Sequence, residues 1–304
     1  MQKIVPNIWF DGTAAEAAEH YARVLPDTSG RVLMRYPEEG LPDFQKALAG
    51  QPLTAEIVVG ESAEDGGCRI VLINAGPEFA PNESISFMLN FDPSRDPDAA
   101  ATLEAVWAGL GDGGEVLAEL DEYPFSPRYG WIRDRYGVTW QLILTHPDGE
   151  PRPFVIPSLL FCGAAQNRAK AAIAAYTSLF DDSGVGMIVD YSTATGAVRA
   201  DSVMFGDFRL AGQWFTAVDS PEPRDFSFTC GVSLQVNCAD QAEIDRCWEA
   251  LSAVPEAEQC GWCADEFGLS WQIVPEEMGS LMASPEAYGA MLAMKKIVIA
   301  DFPK

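Results

Sequence analysis

Two stretches of the chain carry the same spaced set of polar and aromatic side chains: Trp131, Arg133, Thr139 and Gln141 in one, and Trp262, Ser270 and Gln272 in the other. Indole, guanidinium, hydroxyl and amide groups can hold a small ligand by hydrogen bonds, with apolar surface around them. No catalytic residue is assigned, and a general acid or base supplied by Glu, Asp or Tyr stays open. The stretches are Tyr129–Leu144 and Cys260–Pro275, and without a gap they share Gly130/Gly261, Trp131/Trp262, Asp134/Asp265, Gly137/Gly268, Trp140/Trp271 and Gln141/Gln272. Each reads as strand, tight turn, strand, with the Gly of Asp-x-x-Gly supplying the turn's backbone angles. Alternation along the second strand puts Thr139, Gln141 and Ile143, and likewise Ser270, Gln272 and Val274, on a cavity side, with Trp140 and Trp271 toward the helices. The preceding strand adds Tyr129, Trp131 and Arg133, or Trp262. Each has a plainer reading: the tryptophans as core filling, and Arg133, replaced by Ala264 in the second copy, as a surface ion pair.

Other chemistry-bearing residues are few. Of the two histidines, His20 lies at the edge of an apolar helix face and reads as packing, and His146 opens a polar segment and reads as solvated. Cys260-Gly-Trp-Cys263 has thioredoxin-type spacing, but it falls in an expected strand, where residues three apart face opposite ways, and no second CxxC or His completes a metal shell. Gly111-Asp-Gly-Gly114 follows a helix and reads as its cap and loop, which is no cofactor-binding turn between strand and helix. Phosphate-loop and G-x-S-x-G motifs are missing.

The elements that position these residues repeat four times. Strand Ile4–Phe10 leads into a helix over Thr13–Leu25, where Thr13 and Glu16 have capping-box spacing and Ala14, Ala17, Ala18, Tyr21, Val24 and Leu25 share a face. Strands are expected at Gly30–Tyr36, Leu53–Val59 and Cys68–Asn74, with a short helix over Phe44–Leu48. The second unit has strand Ile85–Phe91, helix Asp98–Leu110, a short strand Glu115–Ala118 and the first repeated hairpin. Thr145–Pro153 is a Pro- and Gly-rich linker. The third unit has strand Phe154–Phe161, helix Ala165–Phe180, with Tyr176 standing where Tyr21 stood, and strands Gly186–Tyr191, Val198–Phe205 and Phe208–Phe215. The fourth has strand Thr229–Asn237, helix Gln241–Leu251 and the second hairpin. A tail includes a helix over Pro285–Lys296, with Lys295 and Lys296 near its end. The domains are thus 1–148 and 154–275, a linker at 149–153 and a helical tail at 276–304.

Composition narrows the function. At 304 residues and 48% hydrophobic content the chain can bury two ordinary cores. Forty-five acidic against 20 basic residues give a net charge of −25, which repels nucleic-acid phosphates and anionic membranes. No apolar run approaches the roughly 20 residues that span a bilayer, and the N-terminal stretch from Met1 lacks the features of a signal peptide. Seven cysteines, six of them from Cys162 onward, form no secreted disulfide framework and point to the cytoplasm.

These residues support a family resemblance that covers nearly the whole length. Trp9-Phe-Asp-Gly12, Glu19-His-Tyr21, Leu72–Pro77, Pro81–Phe87, Glu122–Ser126 and the two repeated hairpins, with Leu210–Gln213, Ser233–Cys238 and Met291–Ile297, make the chain resemble a tandem PhnB-like protein. That family, also labelled 3-demethylubiquinone-9 3-methyltransferase-like, lies in the vicinal oxygen chelate superfamily of glyoxalases, bleomycin-resistance proteins and dioxygenases. The resemblance implies an α+β fold: two glyoxalase-like domains of paired βαβββ modules, with curled mixed sheets and helices on the outer face. It implies an internal pseudo-dimer, open to further homodimerisation, and leaves open whether modules pair within each half or across the linker. Metal-binding members carry His and Glu on the first and last strands. Here Gln141 and Gln272 take the last-strand place, and Pro6 or Asn7 and Pro157 or Ser158 the first, so no metal and no cofactor are expected. The leading reading is a protein that sequesters or senses a small, partly apolar molecule. The alternatives are an enzyme of lyase, isomerase or dioxygenase type with an atypical site, and an interaction platform whose second domain has lost its pocket.

Overall fold

The computed structural model describes residues 2–62, 67–282 and 284–303, so Met1 of the N-terminal stretch and Ala283 and Lys304 of the tail lie outside the described residues. The first module runs β1 (Ile4–Phe10), α1 (Ala14–Val24), β2 (Thr28–Arg35), β3 (Pro52–Val59) and β4 (Cys68–Asn74). The second runs β5 (Ile85–Phe91), α2 (Ala99–Gly111), β6 (Glu115–Tyr123), β7 (Ser126–Arg133) and β8 (Thr139–Leu144). The third runs β9 (Val155–Phe161), α3 (Ala169–Leu179), β10 (Gly184–Asp190), β11 (Val203–Leu210) and β12 (Gln213–Asp219). The fourth is shorter: β13 (Val232–Cys238), α4 (Gln241–Leu251), β14 (Trp262–Ala264) and β15 (Ser270–Pro275), with α5 (Met278–Leu281) and α6 (Pro285–Leu292) in the tail.

The strands form two mixed sheets with helices packed on one face of each. One has seven strands in the order β14-β15-β13-β1-β4-β3-β2, and the other eight in the order β10-β11-β12-β9-β5-β8-β7-β6. First strands meet antiparallel, β1 on β13 (Ile4 opposite Val236) and β5 on β9 (Ile85 opposite Leu159). Modules therefore pair across the linker, first with fourth and second with third.

Alternation decides which side chains meet the helices. Ile4, Ile8 and Phe10 of β1, Ala55, Ile57 and Val59 of β3, and Ile70 and Leu72 of β4 join the buried core with Ala14, Ala17, Ala18 and Tyr21 of α1. The eight-stranded sheet does the same through Phe87, Leu89, Trp140, Leu142, Leu159, Phe208 and Phe215. Val5, Asn7, Ser86, Gln141, Ser158, Ser233 and Gln272 take the opposite, helix-free faces.

Three expected details differ. Thr13 makes no side-chain cap: its backbone, at φ −102° and ψ 6°, is not extended as a cap's is, and Glu16 accepts from Tyr136 OH at 3.0 Å, while Asn74 Oδ1 accepts the Ala14 N–H at 2.9 Å. The hairpin of the third module turns at Ala211-Gly212, where both residues have positive φ, so β11 and β12 lie about five residues later than the expected strands. Gly206, which looks like a turn residue, sits mid-strand, where a Cβ would stand 3.3 Å from Ile173. The tail helix ends at Leu292, and Lys295 and Lys296 lie beyond it, paired with Glu258 and Asp245.

Candidate functional site

The repeated motif is explained first by the helix side. Gly137 and Gly268 have φ of 85° and 86°, which closes each β-turn tightly. The turn's carboxylate is then buried and used four times. Asp134 accepts from Tyr21 OH at 2.7 Å, Trp140 Nε1 at 2.8 Å, and the Tyr136 and Val138 N–H groups at 2.8 and 3.1 Å. Asp265 accepts from Tyr176 OH at 2.7 Å, Trp271 Nε1 at 2.8 Å, and the Phe267 and Leu269 N–H groups at 2.8 and 3.0 Å. Burial pushes both carboxyls above the ordinary aspartate range while the hydrogen bonds pull the other way. Tyr21 belongs to the first module and Asp134 to the second, so each cluster ties together two modules of one half whose strands lie in different sheets.

On the helix-free face of the eight-stranded sheet, register aligns one row across five strands: Thr216, Ser158, Ser86, a step to Gln141, and Trp131. Gln141 is the hub. Its Nε2 donates to Ser86 Oγ at 2.6 Å and Ser158 Oγ at 3.3 Å, and its Oε1 accepts from Tyr129 OH at 2.8 Å. Burial raises the Tyr129 phenol, which therefore stays a donor at neutral pH. Thr139 is buried and donates to the Ile85 carbonyl at 3.3 Å. Arg133 is held by Glu83 and Glu115, the ion-pair reading of that residue. Two polar atoms of the row are buried without a partner, Trp131 Nε1 and Thr216 Oγ1. Beyond Thr216, Asp207 accepts from Arg152 at 2.9 Å, and the Arg152 guanidinium lies over Trp214 at 4.1 Å.

The seven-stranded sheet repeats the row with different residues. Asn7 stands opposite Ser233, and Gln272 Nε2 donates to Ser233 Oγ at 2.9 Å. Asn7 Nδ2 is used by the Val5 carbonyl at 2.9 Å, and its Oδ1 is buried without a partner. Ser270 donates to Cys230 Sγ at 3.6 Å. Trp262 packs edge-on to Trp9 at 5.8 Å, and Trp9 to Phe79 at 5.1 Å. Glu56, in the register place of Asp207, is gripped by Arg31 at 2.6 Å and Arg69 at 2.5 Å. The tail links this sheet's two ends. Its backbone accepts from Cys260 N–H at 2.8 Å and Gly261 N–H at 2.7 Å beside edge strand β14, while Tyr288 reaches Gln45 at 3.1 Å and packs on Tyr36 just after β2.

These donors test the metal that the superfamily implies. The rows offer amides and hydroxyls, and Glu56 and Asp207 on the same faces are already neutralised by arginines. A divalent cation wants charged oxygen or imidazole ligands, and this set does not fit one. Among the described residues no three His, Cys, Asp or Glu side chains stand together as a metal cluster. Nor do the residues fit adenosylmethionine: Gly111 closes α2 and Gly114 precedes β6, so that glycine run joins helix to strand.

The remaining candidates are structural. His20 is buried against Tyr21 and Tyr136, with its basicity lowered by burial. His146 is exposed. Burial pushes the Cys263 thiol up to about 12, and Cys260 lies on the outer edge of the hairpin. Two hollows of about 270 and 230 Å³ open elsewhere, one beside Tyr176 and Phe267 and one beside Asp27 and Arg152.

Glu56, Asp207 and Thr216 were not foreseen. Glu56 carried a signal, as a lone acid alternating with Ala55 and Ile57 in an apolar strand. Asp207 and Thr216 were hidden by placing the hairpin turn at Gly206.

The comparisons agree with this architecture. The family model described as 3-demethylubiquinone-9 3-methyltransferase matches twice, over residues 2–143 and 153–274. Glyoxalase I from Zea mays is 12% identical, with 96% of this chain and 94% of that one covered and a TM-score of 0.50. A PhnB protein from Bacillus cereus is 25% identical, with 47% of this chain and 100% of that one covered and a TM-score of 0.38. A dioxygenase-type structure from Bacillus subtilis is 13% identical, with 93% and 88% covered and a TM-score of 0.46. No curated protein matches the chain. No helix among the described residues is long and apolar enough to cross a membrane.

Proposed function

The chain belongs to the 3-demethylubiquinone-9 3-methyltransferase (PhnB-like) family of the vicinal oxygen chelate superfamily, and from that premise we propose that it binds a small, partly apolar molecule without a divalent metal. The observation that carries this reading is the pair of neutral rows, Gln141 with Ser86 and Ser158, and Gln272 with Ser233 and Asn7, where metal-binding members would need charge. A carbonyl or hydroxyl ligand suits such rows, since Trp131 Nε1 and Asn7 Oδ1 are buried with hydrogen-bonding capacity unspent. Trp131, Thr139 and Gln141 would face the ligand in one sheet and Trp262, Ser270 and Gln272 in the other, with Arg133 fixing a wall through its two carboxylates. The halves 1–148 and 154–275 act together as an internal pseudo-dimer, because each sheet takes one module from each. The thiols of the six cysteines from Cys162 onward are free, which suits the cytoplasm.

Elemental analysis of purified protein, with and without incubation in Zn, Ni, Mn or Fe(II), tests the reading directly. The expected result is no stoichiometric metal and no thermal stabilisation by any of the four. One equivalent of tightly held metal would overturn it.

A further inference from the structure

The two helix-free faces differ in how their cations are spent. In the seven-stranded sheet Arg31 and Arg69 converge on Glu56, whose side chain is 4% exposed, and Arg35 at the far end of β2 donates to the Gly50 carbonyl. In the eight-stranded sheet the equivalent acid, Asp207, is taken by Arg152 from the linker. One more cation stands there. Arg209 is the register partner of Trp214, as Asp207 is of Thr216, so these four side chains form a block on neighbouring strands β11 and β12. Arg209 is exposed, lies 5.7 Å from the Trp214 ring, and has no carboxylate partner among the described residues. Thr216, 2% exposed, keeps a hydroxyl without a hydrogen-bond partner in the same block. An unpaired guanidinium is notable in a chain of net charge −25, where acids outnumber bases by more than two to one.

We propose that the eight-stranded sheet holds an anionic ligand with a flat apolar body, Arg209 binding its carboxylate, sulfonate or phosphate group while the Trp214 ring, covered on one side by the Arg152 guanidinium, packs beside the apolar body and Thr216 offers a hydrogen bond. In the seven-stranded sheet Val58 holds the register place of Arg209, so that sheet has no counterpart of this anchor. This rests on the helix-free faces being the binding surfaces and adds the class of ligand and the sheet that selects it. Guanidinium pairs with planar oxyanions through two parallel hydrogen bonds and stacks on indole, so Arg209 beside Trp214 can anchor the charge at the rim while the ring enters the sheet.

The test uses a matched pair of probes, 2-naphthoate and 2-naphthamide, titrated calorimetrically into the full chain. The expected result is a preference for naphthoate of about tenfold or more, which corresponds to about 1.4 kcal/mol. The variant Arg209→Gln should bind both probes equally, and Thr216→Val should weaken naphthoate severalfold. Arg199→Gln, another exposed arginine, should leave the preference intact. Equal binding of the two probes by the wild type, or a naphthoate preference that survives Arg209→Gln, would overturn the anion assignment and leave a general binding function standing. Binding of neither probe would overturn both. Circular dichroism of each variant confirms that it is folded.

Discussion

The seven- and eight-stranded sheets share a fold, a register and a Gln-centred row, yet they are finished differently at the rim. The eight-stranded sheet completes all four strands of each module and ends on edge strands β6 and β10. The seven-stranded sheet has no second strand in its fourth module among the described residues, and the C-terminal tail takes that place beside β14. An uncovered edge exposes unpaired N–H and C=O groups, and the tail meets two of them at this end of the sheet, its carbonyls accepting from Cys260 and Gly261 just before β14. Duplication preserved what holds the modules together and let the rims diverge.

The sharpest way to break this comparison is to attack what both halves share. Replacing Asp134 or Asp265 with Ala leaves a buried Tyr hydroxyl, a buried indole N–H and two backbone N–H groups without an acceptor, at roughly 1–3 kcal/mol each for the worst placed. Each substitution should cost at least about 3 kcal/mol in chemical denaturation, and the two losses should agree within about 1 kcal/mol because the hydrogen-bond lengths match. A large inequality would mean that the halves are not equivalent supports.

A second perturbation should act on one sheet only. Ending the chain after Glu276 removes Tyr288, Met282 and Met291, which pack against Tyr36 and Leu41, and should cost about 2–3 kcal/mol by analogy with buried large-to-small changes. Hydrogen exchange should then quicken at β14 and β15 while β7 and β8 keep their protection. Equal loosening of both sheets would show the tail to be a global brace.

The rows themselves give a smaller and more specific contrast. In Gln141→Glu the new oxygen can accept from Ser86 or Ser158 once the hydroxyls turn, and Tyr129 still donates to the other, so the cost should be near 1 kcal/mol. Gln272 has one such hydroxyl partner, Ser233, and Gln272→Glu should cost about 1 kcal/mol more. Neither variant is expected to take up metal, as calorimetric titration with Zn and Mn would register, because the other members of each row are neutral.

Much of the architecture was legible from the residues alone. The βαβββ repeat follows from alternation and helical periodicity, and β1, β4, β5 and α4 begin and end where those patterns do. The Asp-x-x-Gly turns and the inward Trp140 and Trp271 were readable because Gly and period-two burial leave unambiguous marks. Pairing across the linker was not, since β13 and β5 are both apolar strands that offer β1 similar edges, and the choice depends on how the helix layers close. The capping box at Thr13 failed because the Thr13 backbone, at φ −102° and ψ 6°, is not extended as a cap's is, and the Glu16 carboxylate that the box needs accepts from Tyr136 instead. At the site, Gln141 and Gln272 stood out through repetition. Their hydroxyl partners did not, because a serine in an apolar strand reveals its role only when register sets it beside an amide.

The subtlest difference to look for is in pH dependence, where the two shared carboxyls should behave alike. Burial raises the folded-state affinity of Asp134 and Asp265 for a proton above that of the unfolded chain. The folded protein therefore holds protons that unfolding releases. The stability from this source is fully present below the ordinary aspartate range, near pH 4, and is lost as pH rises through the folded-state value. Asp265→Asn removes the titration while keeping the shape, so its disadvantage relative to wild type should be greatest in acid and should shrink toward neutrality. Denaturation midpoints from pH 4 to 7 check this, with Asp134→Asn as the companion. A disadvantage that grows with pH would show that the four hydrogen bonds outweigh burial and hold the carboxylates ionised, and a different trend in the two variants would separate the halves electrostatically where their geometry coincides.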